Sequence, residues 1–147
     1  MGLIPCSICL ITFVFLAINI HNSEAKMTLP QVRNALKPGA KTCMTKTGVS
    51  KSLVEKTHEG EFPTDPALQC YFACILKLMK VVSKDEHIDL DMMHKQADLL
   101  MVQNLANQVK QLTQTCYENI TSSEVCEMSW ELVKCYHELD SSMYFFP

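Results

Sequence analysis

The chain has 147 residues, of which 13 are Lys or Arg and 16 are Asp or Glu, and its formal net charge is −3 at pH 7. This length suits one domain and hardly two. The basic residues are scattered, which excludes the basic stripe of a nucleic-acid-binding protein, so we predict no nucleic-acid partner.

Residues 1–25 are predicted to be a secretory signal peptide. The apolar run at residues 8–18 is too short to cross a bilayer, and Ser23 and Ala25 match the small-residue pattern of a cleavage site. A short membrane anchor is the alternative, because no Lys or Arg precedes the run. The mature domain is then residues 26–147, which holds no later run long enough to span a membrane. We predict a secreted protein without membrane insertion.

Six of the eight cysteines remain once Cys6 and Cys9 leave with the signal. An even number of cysteines in a small secreted domain is typical of a disulfide framework rather than of a metal site. Six cysteines allow 15 pairings, and the spacing alone does not choose among them.

Helical periodicity runs through nearly the whole mature chain, which has few glycines and almost no β-branched alternation. We predict an all-α fold of about six helices. The first spans residues 28–37 and stops at Pro38-Gly39, with a short turn at residues 40–45. The second begins after Ser50 and ends near Gly60.

Four further helices follow from caps and spacing. The third opens at Asp65-Pro66 and runs to about Val82, the fourth follows Asp89 through Gln96, the fifth spans about Leu99 to Cys116, and the sixth begins with a capping box of Thr121 and Glu124 and ends near Leu139.

The third helix contains QCYFACILKLMKVV, which is apolar almost all round. Cys70 and Cys74 are four residues apart and share one face, so each can reach a different neighbouring element. Two interpretations remain open. Extracellular proteins favour disulfides for durability, or the bridges hold a partly hollow interior open for a ligand.

The cysteine spacing Cys43-x26-Cys70-x3-Cys74-x41-Cys116-x9-Cys126-x8-Cys135 resembles the six-cysteine signature of the insect odorant-binding proteins, the pheromone-binding and general odorant-binding superfamily. The resemblance covers the mature chain. It implies the pairs Cys43–Cys74, Cys70–Cys126 and Cys116–Cys135. It also implies six helices around an apolar cavity that carries odorants or pheromones through lymph or another extracellular fluid, with an olfactory receptor as a partner and a monomer or weak homodimer as the assembly.

Candidate ligand-binding residues come from inward stripes and from the resemblance. The stripes of the fourth and fifth helices contain Leu90, Met93, Leu105, Val109 and Leu112. The resemblance adds Tyr136, and it places the apolar Leu76 and Val81 where some relatives have hydroxyls that bind short alcohols, which favours a longer, less polar ligand. Trp130 is equally consistent with core packing and with ligand contact. Ordinary core packing is the alternative for every one of these residues.

The tail, residues 140–147, ends in MYFFP and resembles the branch of the superfamily whose tail folds inward as a wall of the pocket. Tyr144, Phe145 and Phe146 would then bind ligand, whereas a disordered tail end is the alternative. Tyr71 resembles a tyrosine that binds the terminal carboxylate, here at Pro147. His137 lies near the tail and is our candidate for acid-triggered release.

Other motifs are weak. Asp85, Asp89 and Asp91 alternate like the start of an EF-hand, but the loop has no Gly at its turn and no closing Glu, so we predict no metal and no cofactor. Asn119 begins an Asn-Ile-Thr sequon and is a candidate glycosylation site.

No catalytic motif is present, and a phospholipase would need a His-Asp pair and a Gly-rich calcium loop that the sequence lacks. We predict a carrier of small hydrophobic ligands rather than an enzyme. The alternative is a secreted helical signalling, saliva or venom protein without a cavity. Stoichiometric uptake of a hydrophobic probe distinguishes the two.

Overall fold

A computed structural model describes residues 26–147, and the predicted signal peptide lies outside this range. The described residues form six helices, two isolated bridges and no longer strand, which confirms the all-α prediction for this part of the chain. The helices are α1 (Leu29–Thr47), α2 (Lys51–His58), α3 (Pro66–Leu78), α4 (Leu90–Leu100), α5 (Gln103–Glu118) and α6 (Val125–Leu139), followed by a 3₁₀ turn at Ser141–Met143. None of these helices combines the length and the apolar character that crossing a membrane requires.

Helix α3 lies at the centre of the molecule. Six of its 13 residues are buried, and it packs most extensively against α6 and also against α1. Its start agrees with the prediction, because the Asp65 carboxylate accepts the Leu68 N–H at 2.9 Å and Pro66 occupies the first turn. Each fully buried Leu, Ile or Phe side chain contributes about 1.5–3 kcal/mol through the hydrophobic effect.

The three disulfides pair as the resemblance implied. Cys43–Cys74 joins α1 to α3, Cys70–Cys126 joins α3 to α6, and Cys116–Cys135 joins α5 to α6, with Cα–Cα distances of 5.7, 4.4 and 5.6 Å. The central helix is therefore bonded to two neighbours, and α6 is bonded to two as well.

The predicted end of the first helix at Pro38-Gly39 is wrong, as is the turn at residues 40–45. Helix α1 continues through both residues, although an interior proline costs about 3 kcal/mol. The second half of the helix brings Cys43 to its partner on α3. A Cβ atom at Gly39 would lie 2.7 Å from Leu78 Cδ1, the end of an exposed and flexible side chain, so Gly39 marks the place where α1 comes close to Leu78 of α3. Tertiary packing overrides the local helix-breaking signal here.

Helix α3 ends at Leu78 rather than near Val82. Lys80 adopts φ 58°, a left-handed conformation that an α-helix cannot continue through. Val82 instead forms an antiparallel bridge with Ile88, which closes the charged loop between α3 and α4.

The junction of α4 and α5 also differs from the prediction. Helix α4 continues past Gln96 to Leu100, and α5 begins at Gln103 rather than at Leu99. The N–H of Met27 donates to the carbonyl of Leu100 at 2.7 Å. The segment before α1 therefore ties down the turn that separates these two helices.

The capping box predicted from Thr121 and Glu124 is wrong, since Glu124 precedes α6 without a side-chain cap bond. Thr121 and Ser122 instead donate their N–H and hydroxyl groups to the Glu131 carboxylate over 2.7–3.2 Å. Burial alone would raise the pKa of Glu131, but these hydrogen bonds lower it below its ordinary value. The ionised carboxylate thus holds the loop that precedes α6.

Candidate ligand cavity and tail

The tail, residues 140–147, folds into the interior. Tyr144, Phe145 and Phe146 are 3%, 2% and 1% exposed. The rings of Phe145 and Phe146 stack with their centroids 4.7 Å apart, and Phe146 meets Phe72 of α3 and Tyr136 of α6 edge-to-face at 6.0 and 6.1 Å. The three consecutive aromatic residues are therefore part of the hydrophobic core.

Hydrogen bonds from three helices fix the tail. Arg33 of α1 donates to the Tyr144 carbonyl. The Thr57 hydroxyl of α2 donates to its own helix and accepts from the Tyr144 hydroxyl at 2.9 Å. Tyr71 of α3 donates to an oxygen of Pro147 at 2.5 Å, and burial raises the pKa of Tyr71 to about 12, so it remains a donor at physiological pH.

Two histidines flank the ring of Tyr144. His58 lies 5.4 Å from it and His137 lies 5.3 Å from it, both edge-on. Burial, and then the positive charge of Arg33 and the neighbouring His137, lower the pKa of His58 below its ordinary 6.5. Sequence reasoning selected His137 and missed His58, whose proximity to the tail depends on how α1 and α2 pack.

A small cavity of about 30 Å³ remains between the tail and α1, α4, α5 and α6. Its walls are almost entirely apolar. They are formed by Val32, Met79, Val81, Met93, Gln96, Ala97, Leu100, Met101, Val109, Thr113, Tyr136 and Phe145. Because the tail fills most of the interior, a ligand can occupy this space only if side chains or the tail move.

The polar groups of the cavity are few. The Thr113 hydroxyl donates to the Val109 carbonyl at 2.7 Å and is also hydrogen-bonded to the Tyr136 hydroxyl. Since the proton of Thr113 is already committed, Tyr136 donates in the second bond. Gln96 supplies an amide at the opening, so the cavity suits an apolar molecule with one or two polar atoms.

A surface groove of about 300 Å³ continues from the cavity, and we call it the mouth. It shares Val32, Met79, Gln96 and Leu100 with the cavity wall and adds Met27, Ala35, Leu36, Leu78 and Lys80. Leu78 and Leu100 are 48% and 41% exposed there. The mouth thus brings mostly apolar side chains to the surface next to the cavity.

Known proteins share this sequence pattern and architecture. The sequence profile of the PBP/GOBP family matches residues 25–139, a range that contains all six bridged cysteines and all six helices. The chain belongs to the PBP/GOBP family. The predicted resemblance to insect odorant-binding proteins is therefore confirmed.

Solved structures agree with this assignment. Odorant binding protein 5 of Apis mellifera is 30% identical, with a TM-score of 0.73 over 83% of this chain and 99% of that one. Odorant binding protein 4 of Chrysopa pallens is 26% identical, with a TM-score of 0.71 over 82% and 99%. Odorant binding protein 7 of Anopheles gambiae, solved with four disulfides and an azo compound, shares the fold at 23% identity and a TM-score of 0.64 over 80% and 97%.

Members of the PBP/GOBP family are ligand-binding carriers, and the chain is accordingly a carrier and not an enzyme. Among residues 26–147, no cluster of three His, Cys, Asp or Glu side chains could hold a metal ion.

The structure brings together only some of the predicted ligand-binding residues. Five line the cavity: Val81, Met93, Val109, Tyr136 and Phe145. Leu76, Tyr144 and Phe146 are buried in the core beside it, whereas Leu90 and Leu105 are half-buried and away from its wall.

Two predicted residues are half-buried and line grooves away from the cavity. Leu112 lines a shallow groove with Met143, and Trp130 lines another groove with Asn119 while Lys134 sits 5.0 Å above its ring. Asn119 is exposed, and its side-chain amide donates to the Thr115 carbonyl at 2.8 Å. Its glycosylation stays a prediction.

Seven wall residues were not predicted: Val32, Met79, Gln96, Ala97, Leu100, Met101 and Thr113. The helical spacing could have identified Thr113. This residue stands four residues after Val109 and three before Cys116, on the same stripe of α5. The wall residues of α1 and of the α3–α4 loop carry no comparable local signal.

Proposed function

We propose that this carrier is secreted and conveys small hydrophobic ligands, odorants or pheromones, through an extracellular fluid such as sensillar lymph to a receptor. The observation that supports this most directly is the mostly apolar mouth next to an apolar cavity that the chain's own tail closes. A purely structural bundle has no need of such an arrangement. The binding of an azo compound by the Anopheles gambiae relative supports the same ligand class.

The wall composition defines the ligand further. Burial of apolar area supplies affinity at roughly 25 cal/mol per Å². The methionines Met79, Met93 and Met101 can adapt to different ligand shapes, since their side chains are flexible and polarisable. Thr113 and Tyr136 can exchange their mutual hydrogen bond for one to a ligand hydroxyl or carbonyl. We expect neutral, mostly apolar ligands with one oxygen function.

We also propose that acid loosens the tail. Arg33, His58, His137 and Tyr71 are the charged or titratable groups that face Tyr144, and Glu55 acts on His58 in turn. The pKa of His58 is lower in the folded state than its ordinary 6.5. The contribution of His58 to the free energy of unfolding is therefore complete above pH 6.5 and decreases as the pH drops below that value. Protonation of His58 in mild acid places a second positive charge near Arg33 and next to the ring of Tyr144 in the tail.

To test these proposals, a neutral fluorescent hydrophobic probe is titrated into the protein near pH 7 and near pH 5. The three disulfides of the protein are kept intact. One-to-one binding that weakens in acid supports both proposals. Binding that persists in acid supports the carrier function but refutes the proposal that acid loosens the tail. If folded protein binds no probe, the helical signalling alternative is the better one.

Two pairs of variants sharpen the test. Ala97→Leu fills the cavity wall and should reduce probe affinity at least about tenfold, whereas Ala67→Leu on α3, which lines neither the cavity nor the mouth, should not. His58→Gln and His137→Gln should each reduce the acid effect. If the variant with both His58→Gln and His137→Gln releases probe in acid like the parent protein, the proposal that these histidines cause the acid release is wrong.

A further inference from the structure

Another groove lies between α1, α2 and the end of the tail, and we call it the α1/α2 groove. Its volume is about 380 Å³, within the range of about 300–1,000 Å³ that is typical of small-molecule sites. It is lined by Arg33, Lys37, Ala40, Met44, Lys51, Val54, Glu55, His58, Tyr71 and Pro147. It shares no lining residue with the cavity or the mouth.

The helical periodicity explains why this groove is amphipathic. Arg33, Lys37, Ala40 and Met44 fall on one stripe of α1, with basic residues in its first part and apolar residues in its second. Val54 of α2 faces the same space and is 6% exposed, and Ala40 is 4% exposed. The floor of the groove is therefore apolar and its rim is charged.

The rim carries three basic side chains, Arg33, Lys37 and Lys51, against one acidic side chain, Glu55, and the carboxylate of Pro147, which Tyr71 binds. Lys51 and Glu55 neutralise each other in an ion pair of 2.9 Å. Within the described part of the chain, neither Arg33 nor Lys37 has a carboxylate oxygen within 4.0 Å. Arg33 donates to the Tyr144 carbonyl, but a guanidinium has five N–H donors, so several remain for another acceptor.

We propose that the α1/α2 groove is a second ligand site, selective for amphiphilic anions such as medium-chain carboxylates. The head group binds between Arg33 and Lys37, and the alkyl chain lies on Ala40, Met44 and Val54. The central cavity has an apolar wall without a cation, except for Lys80 at its mouth, and so prefers neutral ligands. This proposal does not depend on the transport of odorants through the cavity.

The methionine methyl groups allow the two sites to be observed separately. Met44 lines only the α1/α2 groove, whereas Met93 and Met101 line only the cavity. The full chain, with its three disulfides confirmed by mass spectrometry, is labelled with ¹³C-methyl methionine. It is then titrated with decanoate and with decanol, two probes of equal chain length that differ in charge, below their aggregation concentrations.

We expect decanoate to shift the Met44 methyl resonance saturably and decanol to leave it unchanged. Raising the salt concentration should weaken the effect of decanoate, because added ions screen the charges of the half-buried Arg33 and the exposed Lys37. Lys37→Glu should weaken the response of Met44 to decanoate roughly fivefold or more. Lys46→Glu, an equal charge change at an exposed position outside the groove, should alter it less than about twofold.

Three results would overturn the proposal. Decanoate could shift only Met93 and Met101, which would leave the groove without a ligand. Decanol could shift Met44 as strongly as decanoate does, which would remove the selectivity for anions. Lys37→Glu could behave like Lys46→Glu, which would show that the rim charge is not used. The comparison of the two probes on the parent protein stands even if a variant misfolds.

Discussion

Replacement of Phe145 by alanine tests whether the tail is part of the core in solution. The ring is 2% exposed and forms one wall of the cavity. Loss of its transfer free energy removes about 2 kcal/mol. A residual void of about 50–100 Å³ adds about 1.2–2.4 kcal/mol at 24 cal/mol per Å³. We expect the free energy of unfolding to fall by about 3–5 kcal/mol.

Urea unfolding with the disulfides intact measures this loss, and Leu139→Ala is the matched control. Leu139 immediately precedes the tail and is 55% exposed, so its truncation should cost less than about 0.5 kcal/mol. A neutral apolar ligand should stabilise Phe145→Ala more than the parent protein, because it fills the new void. If Phe145→Ala costs less than about 1 kcal/mol, the tail does not pack in the core and the reasoning fails.

Three further predictions concern the anchors of the fold. Tyr71→Phe keeps the ring but removes the donor to Pro147, so urea unfolding should show a loss of about 1 kcal/mol, and no loss would mean that the bond does not form in solution. Burial raises the pKa of Tyr71 from 10.0 to about 12 and also raises the pKa of Tyr136. The free energy of unfolding should therefore hold below pH 10 and fall above it by about 1.4 kcal/mol per pH unit for each of these two tyrosines. A urea midpoint that stays constant between pH 10 and about pH 12 would contradict the burial of these rings. Replacement of both Cys116 and Cys135 by serine opens a loop with a sequence separation of 19 and should cost about 3 kcal/mol in urea unfolding, while a loss below about 1 kcal/mol would show that this bridge constrains little.

The third helix shows how far local sequence reasoning reaches. Its start depends on neighbouring residues, Asp65 and Pro66, and the prediction was correct. The persistence of α1 through Pro38 depends instead on contact with α3, where Gly39 meets Leu78. No pattern within the first helix contains that information.

The wall of the cavity was predicted only in part for a similar reason. The stripe chosen on α5 included Leu105 and Leu112, whereas the structure buries Ala106, Val109 and Thr113. The helix is rotated so that the polar Thr113 meets Tyr136, a partner that hydropathy alone does not reveal. Val109 was correct because it belongs to both stripes.

The inward tail has a consequence for ligand selection. If the proposed function holds, Phe145 occupies the space that a ligand would take, and because it is tethered there it would act as an intramolecular competitor at high effective concentration. If only the open state binds, the apparent dissociation constant is the intrinsic one divided by the fraction of molecules that are open. Anchoring worth about 3 kcal/mol therefore weakens apparent binding by roughly a hundredfold. Under the proposed function, we therefore expect ligands that bury more apolar area to bind this protein better than small solutes do.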